Sequence, residues 1–94
     1  MVTIIAKLKA VPGKETFLAE QCEKMAETVR EKEADCLEYV PYVSVEDATV
    51  IVFVETYRDA AAFDYHLTTP YFKEFVDTIT PILAGKLDVR RFDE

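Results

Sequence analysis

Residues Val50 to Val54 are apolar without interruption, whereas Leu18, Cys22, Met25 and Val29 recur at spacings of four, three and four residues. The second pattern lays its apolar side chains along one stripe of an amphipathic helix, with glutamates on the other faces and Arg30 and Lys32 near the C-terminal end, where cations complement the dipole. The first pattern is a strand with no polar face. Before the helix, Val2 to Ala10 sets Ile4, Ile5 and Leu8 among lysines and predicts a strand, closed by a turn at Pro12-Gly13. After it, Cys36 to Val45 and Thr49 to Tyr57 are rich in β-branched and aromatic residues, and Glu46-Asp47-Ala48 between them predicts an antiparallel hairpin. Asp59 is placed to cap a short helix over Ala60 to Leu67. Thr69 and Pro70 supply a second start, cap then proline, for a helix presenting Phe72, Phe75, Val76 and Ile79 on one side. Pro81 ends or kinks that helix, and Gly85 leads into a last strand from Leu87 to Phe92.

Strand, helix, strand, strand, helix pair, strand is the split βαβ order of a ferredoxin-like α+β fold, with helices on one face of a four-stranded antiparallel sheet. One layer of helices covers only one face. The unbroken run Val50 to Val54 predicts that both faces leave water, so a sheet-to-sheet homodimer is expected.

With 94 residues, half of them apolar, the chain has room for one domain and one modest core, expected to span residues 1–94. Its formal charge of -7 repels phosphate backbones and anionic membrane surfaces, and no run of Lys and Arg offsets this locally. Nucleic acid is therefore not an expected partner. Neither is a membrane, because no long apolar segment is present, and the expected location is cytoplasmic. Cys22 and Cys36 have no His or Cys at metal-ligand spacing and read as free, buried or half-buried thiols. No metal-binding cluster, Gly-rich phosphate loop or nicotinamide or flavin fingerprint occurs, so an oxidase built from this chain would work without a bound cofactor.

The Pro12-Gly13-Lys14 turn, Cys36-Leu37-Glu38-Tyr39 opening the second strand, Glu55-Thr56-Tyr57 closing the third, and Phe63 with His66 followed by Thr69 and Phe72 together resemble the antibiotic biosynthesis monooxygenase family. The likeness spans nearly the whole chain and implies a dimeric α+β barrel. The family includes quinol monooxygenases, an isomerase of a phosphorylated signal molecule and haem-degrading enzymes, so it fixes fold better than substrate. Two departures stand out. Asp35 replaces the usual glycine before the second strand, and Lys7, Tyr57 and Val76 stand where the haem-degrading branch has its asparagine, tryptophan and haem-ligating histidine. Without that axial ligand the haem branch is set aside.

His66, the single histidine, shares one helix face with Phe63 and Ala62 and is aimed toward the sheet. It reads either as a structural group satisfied by a backbone carbonyl or Glu55, or as a general base with an ordinary pKa of about 6.5. Glu55 and Tyr57 point to the same side of their strand. Glu55 would orient His66 or a substrate hydroxyl, or form a salt bridge at the dimer seam; Tyr57 would hydrogen-bond a substrate oxygen or simply pack. Phe53, Phe63, Phe72 and Phe75 are the expected aromatic wall of a substrate pocket between helices and sheet. The leading expectation is a cofactor-independent monooxygenase oxidising a quinol or polycyclic phenol with dioxygen, with His66 as base and Tyr57 and Glu55 assisting. Its rivals are an isomerase of a small phosphorylated ketose-like compound, needing Lys7 or Arg90 for the phosphate, and a non-catalytic dimeric stress-related binding protein.

Overall fold

In the computed structural model, which describes residues 1–94, Val2–Lys9 forms β1, Glu15–Lys32 α1, Cys36–Val43 β2, Val50–Tyr57 β3, Ala60–Thr68 α2, Pro70–Ile79 α3 and Asp88–Asp93 β4. The strands make one antiparallel sheet in the order β2-β3-β1-β4, the ferredoxin-like α+β arrangement. Most expected boundaries move by one residue. The larger change is β2, which stops at Val43 rather than Val45 because Ser44 Oγ and Asp47 Oδ1 bind the amides of the turn.

Both predicted caps form. Asp59 accepts from the Ala62 amide at 2.9 Å, and Thr69 Oγ1 from the Phe72 amide at 3.3 Å, ahead of Pro70. Pro81 does not kink α3. The helix ends at Ile79, and Pro81 falls in a following 3₁₀ turn, Thr80–Ile82, near whose start a missing N–H does no harm. No helix is long and apolar enough to cross a membrane.

The period of two divides the apolar run of β3. Ile51 and Phe53 point under the helices with Glu55 and Tyr57, while Val50, Val52 and Val54 face the other way and are only half-buried. Register then assigns every strand. Val2, Ile4, Ala6 and Leu8 of β1 join the helix side, where Leu18, Cys22, Met25, Ala26 and Val29 of α1 complete the core. Each fully enclosed Leu or Ile, such as Leu8 or Ile51, contributes about 1.5–3 kcal/mol of burial. On the open face Ile5 lies opposite Val54, Val52 opposite Tyr42, and Thr3 opposite Phe92, so an apolar strip crosses the sheet on a diagonal, broken by Thr3 and flanked by Lys7 and Arg90. Both cysteines are free, and burial pushes each thiol up to about 12, which leaves them poor nucleophiles.

Candidate active site

The helix side of the sheet does not close completely against α3. Between Phe53, Tyr39 and Glu55 on the strands, Phe72, Phe75 and Val76 on α3, and the segment from Leu83 to Leu87 lies a cavity of about 260 Å³. It exists because β1 offers the small side chain of Ala6 opposite Phe53, where a larger residue would fill the space. Phe53 meets Phe75 edge-on at 6.2 Å and Tyr39 at 4.9 Å, so the aromatic wall is itself packed and holds its shape.

Glu55 is the one carboxyl in this wall, and 5% of its surface is exposed. Its Oε1 accepts a hydrogen bond from the Tyr57 hydroxyl at 2.6 Å. Fully enclosed side-chain oxygens all have partners in this chain, so Oε2, which bonds no protein group, keeps accessible surface, and the space beside it is the cavity. Burial pushes the Glu55 carboxyl up to about 7, against the opposing pull of the Tyr57 hydrogen bond; nearby Glu33 adds a smaller push in the same direction as burial. A carboxyl titrating near neutrality can both take and return a proton.

His66 is buried between helix and sheet as expected, but its partner is not Glu55. Its Nδ1 lies 2.9 Å from Glu33 Oε2 and 3.2 Å from Oε1, and the Tyr71 hydroxyl donates to the same Oε2 at 2.5 Å. Glu33 is the C-cap residue of α1, so the three groups join the end of α1 to α2 and α3. The His66 ring packs against Phe72 at 4.9 Å, Tyr39 at 5.3 Å and Tyr57 at 5.5 Å. Phe72 and Tyr39 line the cavity; His66 stands one ring behind them.

The structure therefore brings Phe53, Phe72, Phe75 and Glu55 together around the cavity and sets His66, Tyr57 and Phe63 behind its wall. The Tyr57 hydroxyl is committed to Glu55, and Phe63 packs on Tyr57 at 5.1 Å. Glu33, Tyr39 and Tyr71 were not legible as site residues: Glu33 reads as one more glutamate of a solvated helix face, and only the chain's return after 33 residues brings His66 to it. Lys7 and Arg90, the candidate phosphate holders, lie on the open face of the sheet, away from the cavity, because register places them alongside Val52 and Ile5.

A four-stranded ferredoxin-like sheet with an aromatic cavity under its helices defines the class, a small α+β domain. The model of the family described as antibiotic biosynthesis monooxygenase matches residues 1–78, and the chain belongs to that family. Among curated relatives it is similar to the uncharacterised protein sll1783 of Synechocystis, with 29% identity over 95% of this chain and 60% of that one. It also resembles YcnE of Bacillus subtilis, which carries a provisional monooxygenase name, with 26% identity over 97% of this chain and 95% of YcnE. The chain thus spans about three-fifths of the first relative and nearly all of the second. Among solved structures, one described as an antibiotic biosynthesis monooxygenase superposes with a TM-score of 0.92 at 28% identity, covering 100% of this chain and 98% of that one.

Proposed function

We propose that the protein is a monooxygenase that needs no resident cofactor and oxidises a small electron-rich hydroxyaromatic, a quinol or polycyclic phenol, with dioxygen. The observation that carries this reading is the single buried carboxyl, Glu55, in a cavity walled mainly by aromatic and aliphatic side chains. Glu55 takes the phenolic proton, and the phenolate passes one electron to dioxygen. The aryloxyl and superoxide radicals combine, a C–O bond forms at a hydrogen-bearing ring carbon ortho or para to the hydroxyl, and Glu55 returns its proton to the peroxide. The carboxylate then removes the hydrogen on that carbon as the O–O bond breaks, and the departing hydroxide takes the proton and leaves as water. The balance is phenol plus dioxygen giving quinone plus water. A largely apolar wall favours the step because the anion meets few competing polar groups there.

A second reading gives the base role to His66, as the sequence leads one to expect. It is favoured by the clamp on Nδ1, which makes Nε2 the ring nitrogen free to accept a proton. Oxygen-electrode assays on a panel of naphthols and polycyclic phenols separate the two. Glu55→Gln is expected to lose about a hundredfold or more in rate, the scale of a positioned base. The double variant Glu33→Gln, His66→Gln keeps a neutral hydrogen-bonded pair and is expected to retain most activity; the reverse ranking makes His66 the base. In ¹⁸O₂ the product is expected to gain one labelled oxygen, and unlabelled product rules out oxygenation.

The open sheet face completes the proposal. Tyr42 and Phe92, with 53% and 56% of their surfaces exposed, flank the half-buried Ile5, Val52 and Val54, and a second copy of this chain is the cover that gives the apolar strip a matching surface.

A further inference from the structure

Lys86 is the one cation on the cavity wall, as Glu55 is the one acid. They stand at different levels. Glu55 is buried on the central strand β3, whereas Lys86 is exposed on the turn that follows Gly85. Gly85 adopts φ +111°, a conformation that side chains disfavour, and the turn it allows sets Lys86 at the cavity rim. The chain's ion pairs engage Lys9, Arg58, His66, Lys73, Arg90 and Arg91, and Lys86 belongs to none of them. Lys7, Lys14, Lys24, Arg30 and Lys32 also stand outside the ion pairs, and what distinguishes Lys86 among them is its place at the cavity rim. Its charge is open to a ligand.

Size gives the second constraint. An apolar cavity of about 150 Å³ takes up one benzene ring. The 260 Å³ here, walled by Phe53, Phe72 and Phe75, suits two fused rings.

Resting on the oxygenase reading above, we propose that the substrate is a fused bicyclic hydroxyaromatic acid, its carboxylate against the Lys86 ammonium at the rim and its hydroxyl at the far end reaching Glu55. Attraction to Lys86 orients the ring system as well as holding it, because a molecule that enters with its acid group outward delivers its hydroxyl to the buried carboxyl. A carboxylate suits the rim better than a phosphate. One ammonium is a point charge, and the wall supplies no second cation for a dianion.

Binding is measured without oxygen, by fluorescence titration with 6-hydroxy-2-naphthoate and 2-naphthol as probes. Lys86 is exposed, so Lys86→Gln leaves the fold in place. It is expected to weaken the naphthoate about fivefold, the upper end for a solvent-exposed ion pair, and to move 2-naphthol by less than about twofold. Lys86→Glu is expected to weaken the naphthoate further, and salt near ~0.5 M to erase most of the wild-type preference. Equal losses for both probes, a naphthoate indifferent to Lys86, or binding of neither probe would overturn the proposal. Binding that depends on Lys86 without oxygen uptake upholds the acid-binding rim and removes the oxygenase reading; oxygen uptake from 2-naphthol with naphthoate binding indifferent to Lys86 does the reverse.

Discussion

The Tyr57 hydroxyl donates to Glu55 Oε1 at 2.6 Å from a position two residues further along the same strand. Because side chains two apart on a strand share a face, the local geometry of β3 builds this pair, and the helices above then exclude water from it. Tyr57 holds one carboxylate oxygen and leaves the other to the cavity.

A titrating carboxyl in that place couples rate to pH. If Glu55 is the base, the oxygenation rate is expected to rise as pH passes through about 7, where the carboxylate forms. Tyr57→Phe removes a hydrogen bond that lowers the Glu55 value, so the midpoint is expected to move to higher pH. The same group shapes stability. Its folded value of about 7 lies above the 4.5 of the free carboxyl, so its contribution is fully present below pH 4.5 and is lost as pH rises to about 7. Glu55→Gln removes that slope, worth about 3 kcal/mol across the window. Denaturant midpoints at pH 5 and pH 8 measure it, and parallel shifts in wild type and variant would remove Glu55 as the cause.

Glu33 and His66 form an ion pair when the imidazole is protonated, and their side chains are 3% and 2% exposed. Removing one strands the other in a dry site. Glu33→Ala and His66→Ala are each expected to cost about 3 kcal/mol, and the double variant less than the sum of the two. Urea denaturation of the four proteins tests this, and strict additivity would mean that the two do not act as a unit.

Thr69 serves two backbones, accepting from the Phe72 amide and donating to the His66 carbonyl at 2.9 Å. Thr69→Ala is expected to lower stability by about 0.5–2 kcal/mol, while Thr69→Ser recovers most of it. An unchanged midpoint for the alanine variant would show that the α2–α3 junction holds without the cap.

Val52 and Phe53 are neighbours in sequence with opposite outlooks, Val52 on the open face and Phe53 in the cavity wall. A charge at Val52 is expected to leave a folded monomer, because a second copy would have to bury it unpaired; one at Phe53 is expected to unfold the chain. Analytical ultracentrifugation with circular dichroism separates the two outcomes. Wild type sedimenting as a monomer at micromolar concentration would dispose of the dimer.

The fold was legible because its signals are local. The helix stripe from Leu18 to Val29 and the Asp59 and Thr69 caps are read within a few residues, and the structure follows them, whereas the hairpin turn expected at Glu46-Asp47-Ala48 widens to take in Ser44 and Thr49. The site was legible only in part. The aromatic residues Phe53, Phe72 and Phe75 could be assigned to a wall from the expected fold, with helices over one sheet face, while the unbroken run Val50 to Val54 left the face of Phe53 undecided and periodicity put Glu55 only on the side of Tyr57. Glu33 could not be recognised, since a glutamate that caps a helix and meets a histidine from another element has the same local sequence as one in water. Tyr39 was passed over for a similar reason: its face on β2 depends on the bulge between Cys36 and Glu38, which shifts the register by one. Lys86 carries no pattern at all, and its importance comes from where the Gly85 turn leaves it.

None of the six residues of β4 is buried, although the strand pairs with β1 along its whole length. Its attachment is a ladder of backbone hydrogen bonds without a core beneath it, so its amides belong to the least protected part of the sheet and those of β3 to the most protected. The turn bearing Lys86 runs directly into this strand. Fraying of the sheet's edge therefore loosens the cavity's mouth while its floor stays rigid.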